Sequence, residues 1–236
     1  ITNWTIRQLL PKQIQFAEAI VVLNPNDPVV SGALHFGVYE KAETHFFESA
    51  CRGGMTFLDV GANIGYYTAL AARAGGPNGK VVALEPDPES YSYLEKTIDA
   101  NSVGNVKSFR VAASNAPANL PLFISKDNRG DNRLYASADK RPQIEVEARP
   151  VDELLTENNI STVDLIKIDV QGYEPKVIAG LSETIARSPN LTILTEFWPK
   201  GITEAGGEAK TFLDDLRTLG LTLYELRSDG NLSELT

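Results

Sequence analysis

The sequence predicts an α/β fold with a mostly parallel central sheet, and three stretches carry that expectation. Residues 56–60, Thr-Phe-Leu-Asp-Val, are a short apolar run followed by Gly61-Ala62-Asn63-Ile64-Gly65 and an alanine-rich segment over 66–74. That order spells buried strand, tight turn and helix. Residues 80–85 form a second apolar strand ending in Glu85, and Asp87-Pro88-Glu89 follows with an N-cap residue, a proline at the first helical position and an acid in the first turn. Strand and helix patterns then alternate again from 163 onward. Alternation at this spacing means βαβ units and a parallel sheet. The combination is a Rossmann-like three-layer sandwich, here with an N-terminal extension and an inserted β-hairpin.

Composition narrows the class. At 236 residues the chain suits one large domain. A net charge of −9 argues against a non-specific nucleic-acid partner, which needs a basic stripe. The single cysteine, Cys51, has no partner for a disulfide or a thiolate metal site. No apolar run reaches the roughly 18–20 residues of a membrane span, and no signal peptide is visible. These features agree with a cytoplasmic protein. They carry no signal for an oligomeric state.

Taken in order, residues 4–23 read as an amphipathic helix broken at Pro11 and then a short strand over 19–23. Asn24-Pro25-Asn26-Asp27-Pro28 is a turn. Residues 29–39 read as a short extended pair and 40–49 as a helix. His35 and His45 sit at no ligand or triad spacing and read as packing or surface residues. After the strand at 56–60, a helix over 64–74 ends at Gly75-Gly76-Pro77. The Asp87 helix buries Tyr91, Leu94 and Ile98. A third strand is expected over 106–113. Leu120, Leu122 and Ile124, then Ile144, Val146 and Ala148, alternate as two antiparallel strands. The polar stretch 125–142 between them reads as either a solvated loop or a lid over an acceptor site. Residues 163–170 are a strand and Gln171-Gly172-Tyr173-Glu174-Pro175 a turn. Pro175 opens one helix that buries Val177, Ile178, Leu181 and Ile185. A strand over 191–198, a helix carrying Phe212, Leu213, Leu216 and Leu219, a strand over 221–226 and a turn at 228–230 complete the pattern. A final edge strand is expected beyond the chain.

The chemistry gathers at the carboxyl ends of the strands, where open α/β sheets bind ligands. The Gly61/Gly65 turn lets backbone approach a ligand closely, and the following helix start favours a carboxylate-bearing one. Its Gly-x-x-x-Gly spacing lacks the third glycine of a dinucleotide fingerprint. Glu85 sits where a carboxylate accepts hydrogen bonds from a ribose diol. Asp59, Glu85, Asp169 and Glu196 all fall at or beside strand ends, with Glu174 near the same edge. An acidic rim attracts a cationic ligand and repels a pyrophosphate.

These residues resemble the FkbM family of S-adenosylmethionine-dependent methyltransferases, a branch of the class I Rossmann-like methyltransferases. The resemblance rests on Phe57-Leu58-Asp59-Val60-Gly61-Ala62-Asn63-Ile64-Gly65-Tyr66-Tyr67-Thr68, on Glu85-Pro86, and on Ile166-Lys167-Ile168-Asp169-Val170-Gln171-Gly172-Tyr173-Glu174. Phe36-Gly37-Val38-Tyr39-Glu40 is also similar to that family. It implies a methyltransferase domain over 51–236, with an insertion at about 115–150, preceded by a helical and extended segment over 1–50.

It further implies S-adenosylmethionine as cofactor and S-adenosylhomocysteine as product. Gly61, Ala62, Asn63, Gly65 and Tyr66 would wrap the methionine part and Asp59 its amino end. Glu85 would hold the ribose, with Pro86, Asp87, Ala112 and Ala113 around the adenine. Asp169 would face the transfer centre. The expected reaction is O-methylation of a hydroxyl on a saccharide or small natural product. Asp169, Glu174 and Glu196 are the candidates for general base or acceptor-orienting group. No metal ligand is assigned; Mg²⁺ on an Asp169/Glu196 pair ranks behind metal-free catalysis. Trp198, Tyr135 and Tyr173 either stack on a sugar or pack. The rival readings are a nicotinamide-dependent oxidoreductase and a non-catalytic adenosyl-ligand-binding module.

Overall fold

The computed structural model describes residues 2–235. Its elements run α1 (Asn3–Leu9), β1 (Gln13–Phe16), β2 (Ala19–Val22), α2 (Pro28–His35), α3 (Lys41–Ala50), β3 (Thr56–Val60), α4 (Tyr66–Gly75), β4 (Lys80–Leu84), α5 (Pro88–Asn101), β5 (Val106–Phe109), β6 (Ala112–Ser114), β7 (Ala118–Phe123), β8 (Gln143–Pro150), α6 (Val151–Glu157), β9 (Leu165–Ile168), α7 (Glu174–Ala179), α8 (Ser182–Arg187), β10 (Thr192–Thr195), α9 (Pro199–Glu204), α10 (Ala209–Thr218), β11 (Tyr224–Leu226) and β12 (Leu232–Glu234).

Five strands form an all-parallel sheet in the order β10-β9-β3-β4-β5. Side chains alternate across it. Phe57, Val81 and Leu165 face a layer of α3, α4 and β2, whereas Leu58, Val60, Val82, Leu84, Ile166 and Ile168 face α6 to α10. The chain runs outward from β3 through β4 to β5, then returns to place β9 on the other side of β3. That reversal is the switch point where a crevice opens at the carboxyl ends. A three-stranded sheet, β6-β8-β7, carries the expected antiparallel pair of β7 and β8.

Several expectations are corrected. Residues 29–39 are not an extended pair: Asp27 caps α2 by accepting the Val30 N–H, and Pro28 takes the first helical position. The start signal is the one seen at Asp87-Pro88. The stretch after Pro11 forms a β1–β2 hairpin. The third strand is two, because after Phe109 the chain leaves the main sheet and β6 pairs with β8. The helix from Pro175 breaks into α7 and α8 at Gly180, where a Cβ would overlap the Ser114 carbonyl. Helix α4 begins at Tyr66, since Asn63 and Gly65 hold left-handed backbone at φ 50° and 88°. Only 224–226 of the last expected strand is extended; it pairs antiparallel with β12 in a separate hairpin.

Candidate active site

The loop after β3 is held against its neighbours by backbone. The N–H groups of Gly61 and Ala62 both donate to the Leu84 carbonyl at 3.0 Å. Gly61 has φ +84°, and a Cβ on it would overlap the Asp169 carbonyl oxygen. Two strand ends therefore meet here only because this residue has no side chain. Asn63 carries a buried Oδ1 with no hydrogen-bond partner. It lines both the cleft and the enclosure described below, so a ligand donor could reach it.

A cleft opens from this loop. Glu85, Pro86, Val111, Ala112 and Ala113 line one side, and Asp169, Val170 and Gln171 the other. The Glu85 carboxylate accepts the N–H groups of Asn63 and Asp87, each at 2.8 Å. Burial, followed by the nearby Asp87 charge, pushes its pKa up to about 8. Ionised oxygens have lone pairs to spare after two backbone bonds, which suits a ribose diol. A smaller enclosure continues from the cleft through Tyr39, Gly61, Asn63 and Asp169 to Asp59, Tyr66, Tyr67 and Lys167. Asp59 and Lys167 are register partners on adjacent strands. Asp59 accepts the Thr68 hydroxyl at 2.5 Å, and burial raises its pKa to about 6.

At the end of β9, the Gln171 amide donates to Asp169 Oδ1 at 2.7 Å and to Glu196 Oε2 at 2.9 Å. The two carboxylates so form one rim with an amide between them. Burial, then the Asp169 and Glu174 charges, lift Glu196 to about 7. Gln171 adopts φ 55°, a left-handed conformation that its hydrogen bonds and the Tyr135 hydroxyl, donating to its carbonyl at 2.7 Å, hold in place. Among the described residues no cluster of three or more metal-type ligands occurs.

Asp169 and Glu85 thus line the cleft with the glycine loop, and Glu196 joins them only through Gln171. Other expected site residues fall elsewhere: Gly65 lines neither space and faces Leu94 and Thr97 of α5. Glu174 is fully buried and its Oε1 accepts the N–H groups of Val170 and Gly172 at 3.2 Å, bracing the turn from beneath. Asp87 does not line the cleft: it caps α5 and binds Arg129 at 2.6 Å. Tyr66 borders the enclosure but spends its hydroxyl on Thr44 and packs edge-on against Phe16, Tyr39 and Tyr67. The three aromatic candidates all make packing contacts. Trp198 lies between the α9 backbone at Gly201 and the Arg133 guanidinium, 4.7 Å from its ring. Tyr135 is buried and Tyr173 packs on the core.

Within residues 125–142, the part from Arg129 to Leu134 borders the cleft. Arg129 reaches Asp87 and Glu89 across the cleft's edge, and Gly130, Asn132 and Leu134 line it. Nothing in the sequence marks Arg129. Lys167 is open to detection, because its parity in β9 matches Asp59 in β3 and points both to the same face.

Three buried acids, Asp27, Asp59 and Glu85, and the half-buried Glu196 have folded pKa values of about 6, 6, 8 and 7, each raised above its ordinary value chiefly by desolvation. A raised carboxyl pKa contributes stability that is fully present below the unfolded value and is lost as pH climbs through the folded one. The ligand-free protein is therefore expected to melt lower at pH 8.5 than at pH 5.5, by on the order of 5 °C, in a thermal scan. A flat or rising profile would show that these carboxylates are compensated.

Relatives agree with this architecture. Over 61% of this chain and 67% of its own length, Methyltransferase sdnD of Sordaria araneosa is 26% identical. 2-O-methyltransferase NoeI of Sinorhizobium fredii is 26% identical over 70% of this chain and 72% of its own. The crystal structure of Methyltransferase FkbM from Methylobacillus flagellatus KT superposes with a TM-score of 0.51 at 15% identity, covering 95% of this chain and 55% of that one, a likeness of fold. The chain therefore spans 55–72% of the length of these proteins. The model of the Methyltransferase FkbM domain matches residues 59–219, a span that begins at the Asp59 enclosure and holds the glycine loop, Glu85 and the Asp169–Gln171–Glu196 rim. The chain belongs to the FkbM methyltransferase family.

Proposed function

We propose that the protein is an S-adenosylmethionine-dependent O-methyltransferase acting on a hydroxyl of a saccharide or small natural product. The observation that carries this is the joining of an adenosyl-type cleft, floored by Glu85 and the glycine loop, to a carboxylate rim at Asp169 and Glu196. The residues fit that cofactor: the open Oδ1 of Asn63 and the Asp59 carboxylate suit an ammonium, and Glu85 suits a ribose. When bound, the cofactor supplies an electrophilic methyl group on a sulfonium. Relatives include a 2-O-methyltransferase, which supports oxygen as the acceptor atom.

The chain's own work is positioning, dehydration and proton transfer. Asp169 and Gln171 orient an acceptor hydroxyl at the junction of cleft and rim. Glu196, with a pKa near 7, takes the proton as the new oxygen–carbon bond forms. The Arg129 segment limits water from the adenine side.

Calorimetric titration with S-adenosylhomocysteine, with NADH as control, tests the donor reading. The expected result is saturable binding of the first alone. NADH binding would favour an oxidoreductase, and binding without methylation across a hydroxyl library would favour a non-catalytic module. With an acceptor in hand, Asp169→Asn is expected to lower kcat at saturating donor at least about 100-fold, separate from any loss of donor affinity through the Lys167 contact.

A further inference from the structure

The N-terminal segment sends one side chain into the candidate site. Glu40 follows α2 and precedes α3 with φ 34° and ψ 55°, a left-handed conformation that a non-glycine residue adopts at a cost of about 1–2 kcal/mol. It stands at the N-cap position of α3 and makes no capping bond with its side chain. Its Oε2 instead accepts the Tyr67 hydroxyl at 2.8 Å and lies 3.6 Å from the Lys167 ammonium. Lys167 is buried in the middle of the parallel sheet, 3.4 Å from Asp169 Oδ2 and 5.2 Å from the Tyr67 ring centre. Burial alone would lower the lysine pKa, but the carboxylates of Asp169, Glu40 and Asp59 more than offset it, so the ammonium form is favoured.

That ammonium poses a problem for the proposed donor. Among the residues lining the small enclosure, Lys167 is the only basic one. The enclosure adjoins Asp59 and the open Asn63 acceptor, where the donor reading places the cofactor's amino-acid end. An uncompensated lysine there would repel a second ammonium. We propose that Glu40 is a positioning residue that holds Lys167 back and compensates its charge, so that the enclosure accepts the positively charged amino group of the cofactor. The inference rests on the donor reading above. It makes the segment before the matched family domain a working part of the site. The charged and titratable groups around Glu40 are Lys167 and Asp169 from β9 and its turn, Asp59 from β3, Tyr66 and Tyr67 from α4, and Tyr39 on its own segment.

The test compares two probes by calorimetry: S-adenosylhomocysteine, and 5′-methylthioadenosine, which keeps the adenosyl part and lacks the amino acid. Glu40→Gln keeps the size and the oxygen that Tyr67 needs but removes the charge. It is expected to weaken S-adenosylhomocysteine at least about tenfold and to leave methylthioadenosine within twofold. Tyr67→Phe, which keeps the charge and frees its carboxylate, is expected to weaken only the first probe, and by less. Unchanged S-adenosylhomocysteine affinity in Glu40→Gln overturns the proposal. So does an equal loss of both probes, which would mark Glu40 as a structural support. If the wild-type chain binds neither probe, the donor reading itself falls, an outcome distinct from both.

Discussion

Gly61→Ala is expected to lower the melting temperature by about 10 °C and to abolish measurable donor binding. Two effects add. The first is conformational: at φ +84° an alanine loses about 1–2 kcal/mol relative to glycine. The second is steric and larger. The new Cβ would overlap the Asp169 carbonyl oxygen and lie 3.0 Å from its carbon, and it would touch Val170 at 3.5 Å. Neither neighbour can yield cheaply. Asp169 is tied by its own N–H to the Val60 carbonyl at 3.0 Å, and Gly61 by its N–H to Leu84. The total is about 3–5 kcal/mol, and a chain of this length loses roughly 2–4 °C for each. Gly220 supplies the control. It has the same φ of +84°, but a Cβ there would meet nothing within 4 Å, so Gly220→Ala should show the conformational part alone, about 1 kcal/mol. Equal melting temperatures for the two variants would show that β3 and β9 do not meet as closely as described.

Glu85→Gln is expected to weaken S-adenosylhomocysteine about 100-fold, or about 2.7 kcal/mol. The carboxylate now receives two backbone donors, from Asn63 and Asp87, and still has lone pairs for a diol. An amide turns one of its ends into a donor facing a backbone donor. It then loses either the Asn63 bond, which loosens the glycine loop, or the Asp87 bond at the start of α5, and in both cases one acceptor end is gone for the diol. The pH dependence separates this from simple misfolding. Glu85 has a folded pKa of about 8, so at pH 6 it is mostly protonated in the free protein. Ribose hydroxyls donating to it favour the ionised form, so binding releases a proton. Wild-type affinity should rise from pH 6 to pH 8 through this group, with proton release visible as a buffer-dependent heat. Both signals should shrink in the Gln variant. A Gln variant with wild-type affinity and wild-type proton release would remove Glu85 from the ribose role.

The same contrast separates what each level of description contains. The sheet is legible in the sequence because parallel strands are buried on both faces and read as short apolar runs, as over 56–60, 80–84 and 165–168. Their carboxyl ends are legible too, since acids and glycines interrupt those runs where the chain leaves the core. Asp59, Gly61, Glu85, Asp169 and Glu196 follow from that rule, and the matched family domain begins at the first of them. Helix α2 escapes a local reading although Asp27-Pro28 announces it, because Val29 and Val30 favour strands locally while capping and packing against α1 decide the helix.

Side-chain direction is not legible. Glu174, Asp87 and Glu196 all sit near one edge in the sequence. Only packing decides that the first braces a turn, the second caps α5 and holds Arg129, and the third faces the rim with a raised pKa. Glu40 and Lys167 lie 127 positions apart by their numbers, and no local pattern links them. They meet because β9 runs beside β3, which carries Lys167 to the face that α3 and α4 cover. Local rules set the elements and the edge at which chemistry gathers; long-range burial, with its desolvation of charge, set which of the gathered acids are partnered and which remain open to a ligand.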